Sequence, residues 1–595
     1  MEAVEGSRGP GARGRGLLIA LGLVLLIRAP FLNQAVQGDD HIYLTEAAHT
    51  LIDPLHPNHV QYVFLGDDVD LRGHSHPPGN AWPLAGLLGL LGKVEEVPFH
   101  AAFIVFSLIA AWAMWSLAQR FSPQPLWATL LFLAVPAFVV NGTSLEADLP
   151  FLAFWMAAIA LFLADQLILA ELAMAGAAMM AYQAIFLVPI LGVEAWRRRR
   201  LTLIWPLLVP IATLALWQIF MRRTTGAMPA GTLIAYFQTY GFQAIGHKLQ
   251  SALMLFIHSW FIVFPALVPP AAVLAWRKRH EPDTRFLLAW IGIFFAGAVA
   301  VFFAGSARYL LPMAAPVALL ASRLPVKWLA GGFAAQLTLS LGLAIVNYQH
   351  WDAVRQFAAR LSPLAKDHRI WVDDTLGLRH YMEIEGGLPL RKSQPLRPGD
   401  LIVSSELDHA VNVMAPLSPI AKSEVRPAIP LRLIGLESNS GYSTTRGLWP
   451  FGISAGLIDR LTASQVMERH PTREYLKFGT LDVADQIVSG IDPQDRWMFK
   501  TATVVLKNPP APAKLRVEFY ISDKTPARHL TLTLDGHEVA AQTYPGPGVY
   551  TLESPGPLTG SGESAAVQID VDRTFSAPGD RRELGVVLIG VGFAR

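Results

Sequence analysis

The sequence contains no cysteine. That excludes disulfides, thiolate metal sites and a cysteine nucleophile, and leaves the redox compartment open. Charge is also scarce: Asp, Glu, Lys and Arg make up 16% of the 595 residues, where soluble proteins carry about 25%. A chain this poor in charge is neither disordered nor a coiled coil. Its 52% hydrophobic content and mean hydropathy of +0.36 point to a membrane. The scarcity is uneven. Between Pro98 and His280 the only acids are Glu146, Asp148, Asp165, Glu171 and Glu194, and between Thr284 and Trp351 there are none. From Asp352 onward the composition is that of a water-soluble protein. The net charge of +2 supplies no field to recruit nucleic acid, so no such partner is expected. The sequence also lacks a Walker loop, a GxGxxG after a strand and an HExxH.

What is present is a series of apolar runs near the length, about 20 residues, that spans a bilayer as a helix. They predict helices near 16–32, 99–119, 124–141, 149–164, 201–221, 251–276, 286–303, 308–322 and 327–347. The run 167–196 has small residues at its centre (Ala175, Gly176, Ala177, Ala178) and reads as a broken pair of half-length helices. The count is about eleven crossings. Arg8, Arg13 and Arg15 precede the first run as in a signal peptide, but no small-residue cleavage site follows Leu26, so it reads as a retained helix. Arg197–Arg200, Arg277 to Arg279, Arg323 and Lys327 all fall on the cytoplasmic side if 80–92 lies at the interface instead of crossing. The loop 33–98, the short loop 142–148 and everything after 348 then face outside, in an inner (plasma) membrane.

The expected fold is therefore a multi-pass α-helical membrane domain over 1–349, an extracytoplasmic α/β domain over 350–494 and a C-terminal β-sandwich over 495–595. RIWVDD and DLIVSS read as strands, and TLGLRHYMEIEGG as a helix with a glycine stop. Beyond 495, TATVVLK, KLRVEFYI, LTLTLDG, AAVQIDVD and ELGVVLIGVGF alternate in the β manner between turns such as Asp535-Gly536.

The polar chemistry is concentrated in the outer loops. Residues 33–80 hold Asp39, Asp40, Glu46, Asp53, Asp67, Asp68 and Asp70, and six of the 17 histidines. Asp67 to Asp70 read as solvated loop charges. Asp39 is different: Ile42, Tyr43, Leu44, Ala47 and Ala48 follow in an amphipathic pattern that holds its carboxylate against the membrane domain. Asp148 stands at the start of an apolar helix, either as a cap or as a second carboxylate facing the same cavity. Arg308, with Tyr309, begins an outer-facing helix where the dipole disfavours a cation, so it answers an anion: a carboxylate, a lipid headgroup or a phosphate. The histidines show no closed zinc pattern. A divalent ion beside a phosphate would be chemically reasonable, but the sequence assigns it no ligands.

In this order and on one face, these motifs resemble the GT-C class of membrane glycosyltransferases, in the branch of protein O-mannosyltransferases and the lipid A aminoarabinose transferase. Asp39-Asp40-His41-Ile42-Tyr43 matches that branch's acidic pair in the first outer loop, with Asp in place of Glu second; His76-Pro77-Pro78 stands where it has Lys-Pro-Pro; Asp148 matches its second Asp; and Arg308-Tyr309-Leu310-Leu311-Pro312 matches its late Arg-Tyr motif. The resemblance spans roughly 16–350, and AYQAIFLVP (181–189) lacks a Lys often found near that turn. It implies a polyprenyl-phosphate sugar donor and a glycan, lipid or protein acceptor, with membrane lipids around the site. It further implies Asp39 as general base, Asp148 as a second catalytic carboxylate, and Asp40, Tyr43, His76, Arg308 and Tyr309 as substrate-binding residues. LTLDGHEV and DRRELGVVLIGV resemble a carbohydrate-binding jelly roll. The alternative is a transporter or channel with an outer sensing domain, for which Glu171, inside an apolar stretch, would be the coupling residue.

Overall fold

Proline placement decides where the apolar runs become continuous helices. The computed structural model describes residues 10–74, 76–231, 243–302, 304–392, 394–408, 411, 413–442, 447–479, 481–492, 495–523, 527–576 and 582–594. Residue 303 of the expected span 286–303, and 580–581 of DRRELGVVLIGV, lie outside them. Among the described residues five helices are long and apolar enough to cross a membrane: Gly14–Phe31, Glu96–Phe121, Ile204–Thr225, Pro282–Val301 and Val326–Lys366. Asp148–Leu163, Leu167–Met180 and Arg308–Ala321 are shorter apolar helices. The chain is a multi-pass membrane protein.

Among the described residues two expected spans are interrupted. Run 124–141 forms Pro125–Leu133 and Pro136–Asn141, because Pro136 lacks an N–H and drives Val135 to ψ 127°. Run 251–276 divides into Gln243–Ser259 and Val268–Arg277 around Pro265. The run 167–196 is broken as expected, but not at its small residues: Ala175 to Ala178 stay inside Leu167–Met180, and the break is the tight turn Tyr182–Phe186 ahead of Leu187–Arg198. Trp155, Trp290, Phe132, Phe138, Phe162 and Phe294 fill the core of the bundle.

Buried polar contacts lock the bundle's rim. The Arg28 guanidinium, 2% exposed, donates to the carbonyls of Val139 and Phe138 at 2.6 Å each and to Ser107 Oγ at 3.2 Å. It thereby ties the first helix to Pro136–Asn141 and to the loop that carries Glu146 and Asp148. Across that loop lies helix Asp40–Thr50. Pro78–Asn80 then leads into Ala81–Leu91, a short helix with Trp82 and Leu90 exposed, ended by Gly92 at φ 74°. Gly79 has to be glycine, since a Cβ there would lie 2.5 Å from the Met179 carbonyl oxygen.

The hairpin Gln61–Phe64 and Asp67–Asp70 turns at Leu65 and Gly66, both at positive φ. Its acids are solvated as expected but also paired: Asp70 binds Arg72, Asp68 binds Arg391 at 3.1 Å and Asp67 binds Lys392 at 2.6 Å. The last two contacts join the loop to the α/β unit. Arg379 adds to them by lying over the Tyr62 ring, 3.9 Å from its centroid.

Helix Val326–Leu361 runs unbroken for 36 residues out of the bundle into this unit, so the boundary expected at 349 falls inside a helix. The unit holds a five-stranded sheet in the order Leu388–Pro389, Ile370–Asp373, Leu401–Ser405, Asp459–Val466, Leu417–Val425, its first three strands parallel. Two antiparallel sheets follow, of four and five strands, and their inward residues form one buried cluster. Tyr475–Lys477 pairs with Val587–Ala594, and Ile487–Ile491 with Met498–Lys507. Edge strands of both sheets thus come from ahead of residue 495.

Candidate functional site

Three carboxylates, from a loop and two helix starts, meet at one guanidinium. Arg308 opens the short turn Arg308–Leu310. Its Nη2 donates to Asp39 Oδ2 at 3.3 Å, and its Nη1 donates to Glu146 Oε2 and, at 3.4 Å, to Asp148 Oδ2. Asp39 is the most open of the three, its side chain 37% exposed against 8% for Glu146 and 14% for Asp148. The Asp39 N–H donates to Glu146 Oε1 at 3.3 Å. Gly38, at φ 48°, lets the chain pass so close: a Cβ there would sit 2.8 Å from that same oxygen.

The other expected residues lie around this cluster in distinct roles. Asp40 is wholly buried and turned from the cavity. It accepts from Gln37 N at 3.1 Å, Ser144 Oγ at 2.9 Å and Leu145 N at 2.7 Å, pinning the loop 142–148 beneath helix Asp40–Thr50. Burial pushes its carboxyl up to about 7 against the pull of those donors. Asp40→Ala is expected to strand two buried N–H groups, each worth about 1–3 kcal/mol. A clear fall in the thermal midpoint of purified protein should result.

Tyr43 is buried against His74 and His76, with ring centroids 5.1 and 6.1 Å away. His76 Nδ1 donates to the Met180 carbonyl at 3.1 Å, and burial with the neighbouring His74 pushes His76 down to about 3. It is therefore a neutral imidazole where the resembling branch has a lysine. His74 is opposite in character. Burial works against its charge, but the Glu46 carboxylate, 3.1 Å from Nδ1, prevails and holds it above the usual histidine range. A raised histidine contributes stability in full below its unfolded value of about 6.5 and loses it as pH climbs through the folded value. His74→Gln should accordingly lower the thermal midpoint strongly at acidic pH and progressively less toward alkaline pH. Tyr309 stacks on Phe302 with centroids 4.0 Å apart, and the Arg308 guanidinium lies 5.5 Å from the Tyr309 ring centre.

Two hollows meet at Arg308. The smaller, on the bundle side, is lined by His76, Asp148, Gln183, Tyr309, Leu311 and Pro312 among others. Gln183, in the break between the half-helices, is buried there, and its Oε1 has no hydrogen-bond partner among the described residues. The larger, about 260 Å³, lies between the bundle and the α/β unit, with Asp39 and Glu146 on one wall and Thr375 and Asp408 on the other.

Sequence reasoning missed Glu146 as a partner of Arg308, Gln183 and Tyr442. Glu146 and Gln183 carried a signal, an acid two residues before Asp148 and an amide at a helix break. Tyr442 carried none. Its carbonyl accepts from Ala307 N at 3.3 Å and Ser306 Oγ at 2.7 Å, and Ser306 Oγ accepts the Arg308 N–H at 3.2 Å. Its hydroxyl donates to Asn141 Oδ1 at 2.5 Å, and Asn141 Nδ2 donates to Asp148 at 3.1 Å. One residue of the α/β unit thus orients both Arg308 and Asp148. The string Gly452-Ile453-Ser454-Ala455-Gly456 has the spacing of a hydrolase nucleophile elbow. A strand, Asp459–Val466, and no helix follows it, and Ser454 Oγ donates to the Glu437 carbonyl at 3.0 Å. Among the described residues no three His, Asp or Glu side chains are grouped to hold a metal ion.

A family model described as dolichyl-phosphate-mannose-protein mannosyltransferase matches residues 75–222. That stretch contains His76, Glu146, Asp148 and Gln183, and it bears out the resemblance to that branch of GT-C membrane glycosyltransferases. Among solved structures, ArnT from Cupriavidus metallidurans bound to undecaprenyl phosphate is 13% identical with a TM-score of 0.44, over 69% of this chain and 96% of that one. The arabinofuranosyltransferase AftD from mycobacteria is 11% identical with a TM-score of 0.39, over 98% of this chain and 58% of that one. Among curated proteins none matches the chain.

Proposed function

We propose that this multi-pass membrane protein of GT-C type transfers a sugar from a polyprenyl-phosphate donor to an acceptor on the extracytoplasmic side of an inner membrane. The observation that carries the reading is the meeting of Asp39, Glu146 and Asp148 on Arg308, with one hollow toward the bundle and one toward the α/β unit. A lipid-linked donor would approach from the bundle side, where the hollow is about 10 Å³ and has to open for it: its tail stays in the bilayer and its sugar phosphate reaches Arg308 past His76, Gln183 and Tyr309. An undecaprenyl phosphate is what the ArnT structure holds, and the same class of carrier is the donor proposed here.

The phosphate takes the place of Asp39 on Arg308 Nη2, because Asp39 is the most exposed of the three carboxylates and makes a single long contact with that nitrogen. Displacement frees Asp39 as a base at the point where one is needed. The acceptor hydroxyl gives its proton to Asp39 and its oxygen attacks the anomeric carbon. The bond from that carbon to the phosphate oxygen breaks with its electron pair, and polyprenyl phosphate leaves. Arg308 meets the charge that gathers on the departing phosphate; neutral His76, whose one N–H is held by the Met180 carbonyl, brings it neither charge nor a donor. Asp148, held by Asn141, fixes the other face of the guanidinium. A single displacement of this kind inverts the anomeric centre. In this reading the two C-terminal sheets form a carbohydrate-binding-type sandwich beside the acceptor route.

The test is incubation of purified protein with a panel of polyprenyl-phosphate sugars, reading freed lipid phosphate. Release from one donor, with the new linkage inverted, is expected. Absence of release from every donor, or active transport of a donor with no cleavage, would overturn the reading.

A further inference from the structure

The larger hollow is built half by the α/β unit, at a particular place in its sheet. Strand Ile370–Asp373 pairs in parallel with Leu388–Pro389 on one side and Leu401–Ser405 on the other. The chain steps from it first to one side and then across to the other, so strand order reverses there. In open α/β sheets such a reversal opens a crevice beyond the carboxyl ends of the strands, and ligands bind in it. Thr375 and Leu376 follow the first of these strands, Leu407 and Asp408 follow the second, and all four line the hollow that Asp39 and Glu146 close from the membrane side. The crevice lip is braced. Asp408 Oδ2 accepts from Thr375 N at 2.8 Å and Thr375 Oγ1 at 2.5 Å, Asp374 Oδ1 accepts from Leu376 N at 2.7 Å, and Tyr62 of the hairpin donates to the Thr375 carbonyl at 3.1 Å.

We infer that this crevice is the acceptor subsite and that it receives the uncharged, polyhydroxylated end of a glycan. The inference rests on the glycosyltransferase reading and adds the class of acceptor to it. Charge makes the first argument. Asp39, Glu146 and Asp408 line the space, no lysine does among the described residues, its one imidazole, His350, faces Asp459 at 4.0 Å, and its one guanidinium, Arg308, already meets three carboxylates. A phosphorylated or otherwise anionic acceptor meets like charge on both walls. Carboxylates and amides, by contrast, accept from and donate to sugar hydroxyls, and Gln37 and Asn347 supply amides on the same lining. Leu376 gives an apolar surface for the C–H face of a ring, and Trp351, stacked on His350, closes the wall beside it. Size agrees. At about 260 Å³ the space is just under the usual small-ligand range of about 300–1,000 Å³, enough for roughly one or two sugar units and too small for a folded substrate.

The experiment follows release of lipid phosphate from the active donor by the full chain. Short, neutral hexose and pentose oligosaccharides, the same oligosaccharides phosphorylated at the non-reducing end, and serine/threonine peptides are added in turn. Neutral oligosaccharides are expected to accelerate release and to carry the transferred sugar. Their phosphorylated forms should show kcat/KM about 100-fold lower, and peptides no transfer. Asp408→Asn is expected to raise the neutral acceptor's KM about tenfold with kcat within about threefold. Leu376→Trp, which narrows the crevice without removing a brace, should also raise that KM. Preference for the phosphorylated or peptide acceptors, no response to any neutral oligosaccharide, or an unchanged acceptor KM in Leu376→Trp would overturn the inference. Slow donor cleavage by water in the same assay would meanwhile keep the transferase reading intact. No cleavage of any donor, with or without acceptor, would instead fell the reading beneath it.

Discussion

Arg308→Met is expected to lower transfer by about 10³-fold or more and to destabilise the protein at the same time. The catalytic loss follows from removing the one fixed cation beside the departing phosphate, a class of interaction worth about 10²–10³ in rate. It is compounded by disorder among the groups the guanidinium holds. The structural loss follows from the three carboxylates that share it. Breaking a buried ion pair by deleting one partner costs about 3–5 kcal/mol, because the charge left behind has no counterion. The two effects separate in a double variant. Adding Glu146→Gln removes the most buried of the stranded acids and should restore much of the thermal midpoint without restoring turnover. Full activity in Arg308→Met, or recovery of turnover in the double variant, would contradict the role assigned to Arg308.

The second large effect is expected at Asp39. Asp39→Asn should reduce transfer by about 10²–10⁴-fold, the usual worth of a positioned general base, while leaving the thermal midpoint nearly unchanged. Stability is spared because Asp39 is the most exposed member of the cluster and its amide still accepts a hydrogen bond from Arg308 Nη2. Azide supplies a sharper test. It is a nucleophile without a proton to lose, so it should restore release of lipid phosphate in Asp39→Asn and fail to do so in Arg308→Met. An Asp39→Asn protein that transfers to hydroxyl acceptors at the normal rate would require another base.

Much of this arrangement was legible in the sequence because charge is so sparse in the membrane half. Asp39, Asp148 and Arg308 stand out in a stretch with few acids, and a cation at a helix start invites an anionic partner. The structure supplies three. That 167–196 is a broken pair was legible, but its small residues stay helical and the break falls past them, at 181–186. The breaks at Pro136 and Pro265 had their signal too, but apolar length outweighed it in the sequence-based count. What pattern does not reveal is convergence across long separations. Tyr442 reaches Asn141 from 301 positions away, and nothing in its neighbourhood marks it. Asp40 and Asp39 are adjacent in sequence, yet one braces a loop from within and the other faces the cavity. The helical period rotates neighbours by about 100°, and only the packing shows which side is inward.

The long helix Val326–Leu361 has a mechanical consequence. At about 1.5 Å per residue, its 36 residues extend roughly 54 Å, well beyond a hydrocarbon layer of about 30 Å. Val346, Asn347, His350 and Trp351 on that one rod all border the larger hollow. The α/β unit is therefore mounted on a stiff shaft continuous with the bundle. If the crevice takes glycan ends as inferred above, ends of different thickness would be sorted by clearance at a gap that this unbroken helix does not widen.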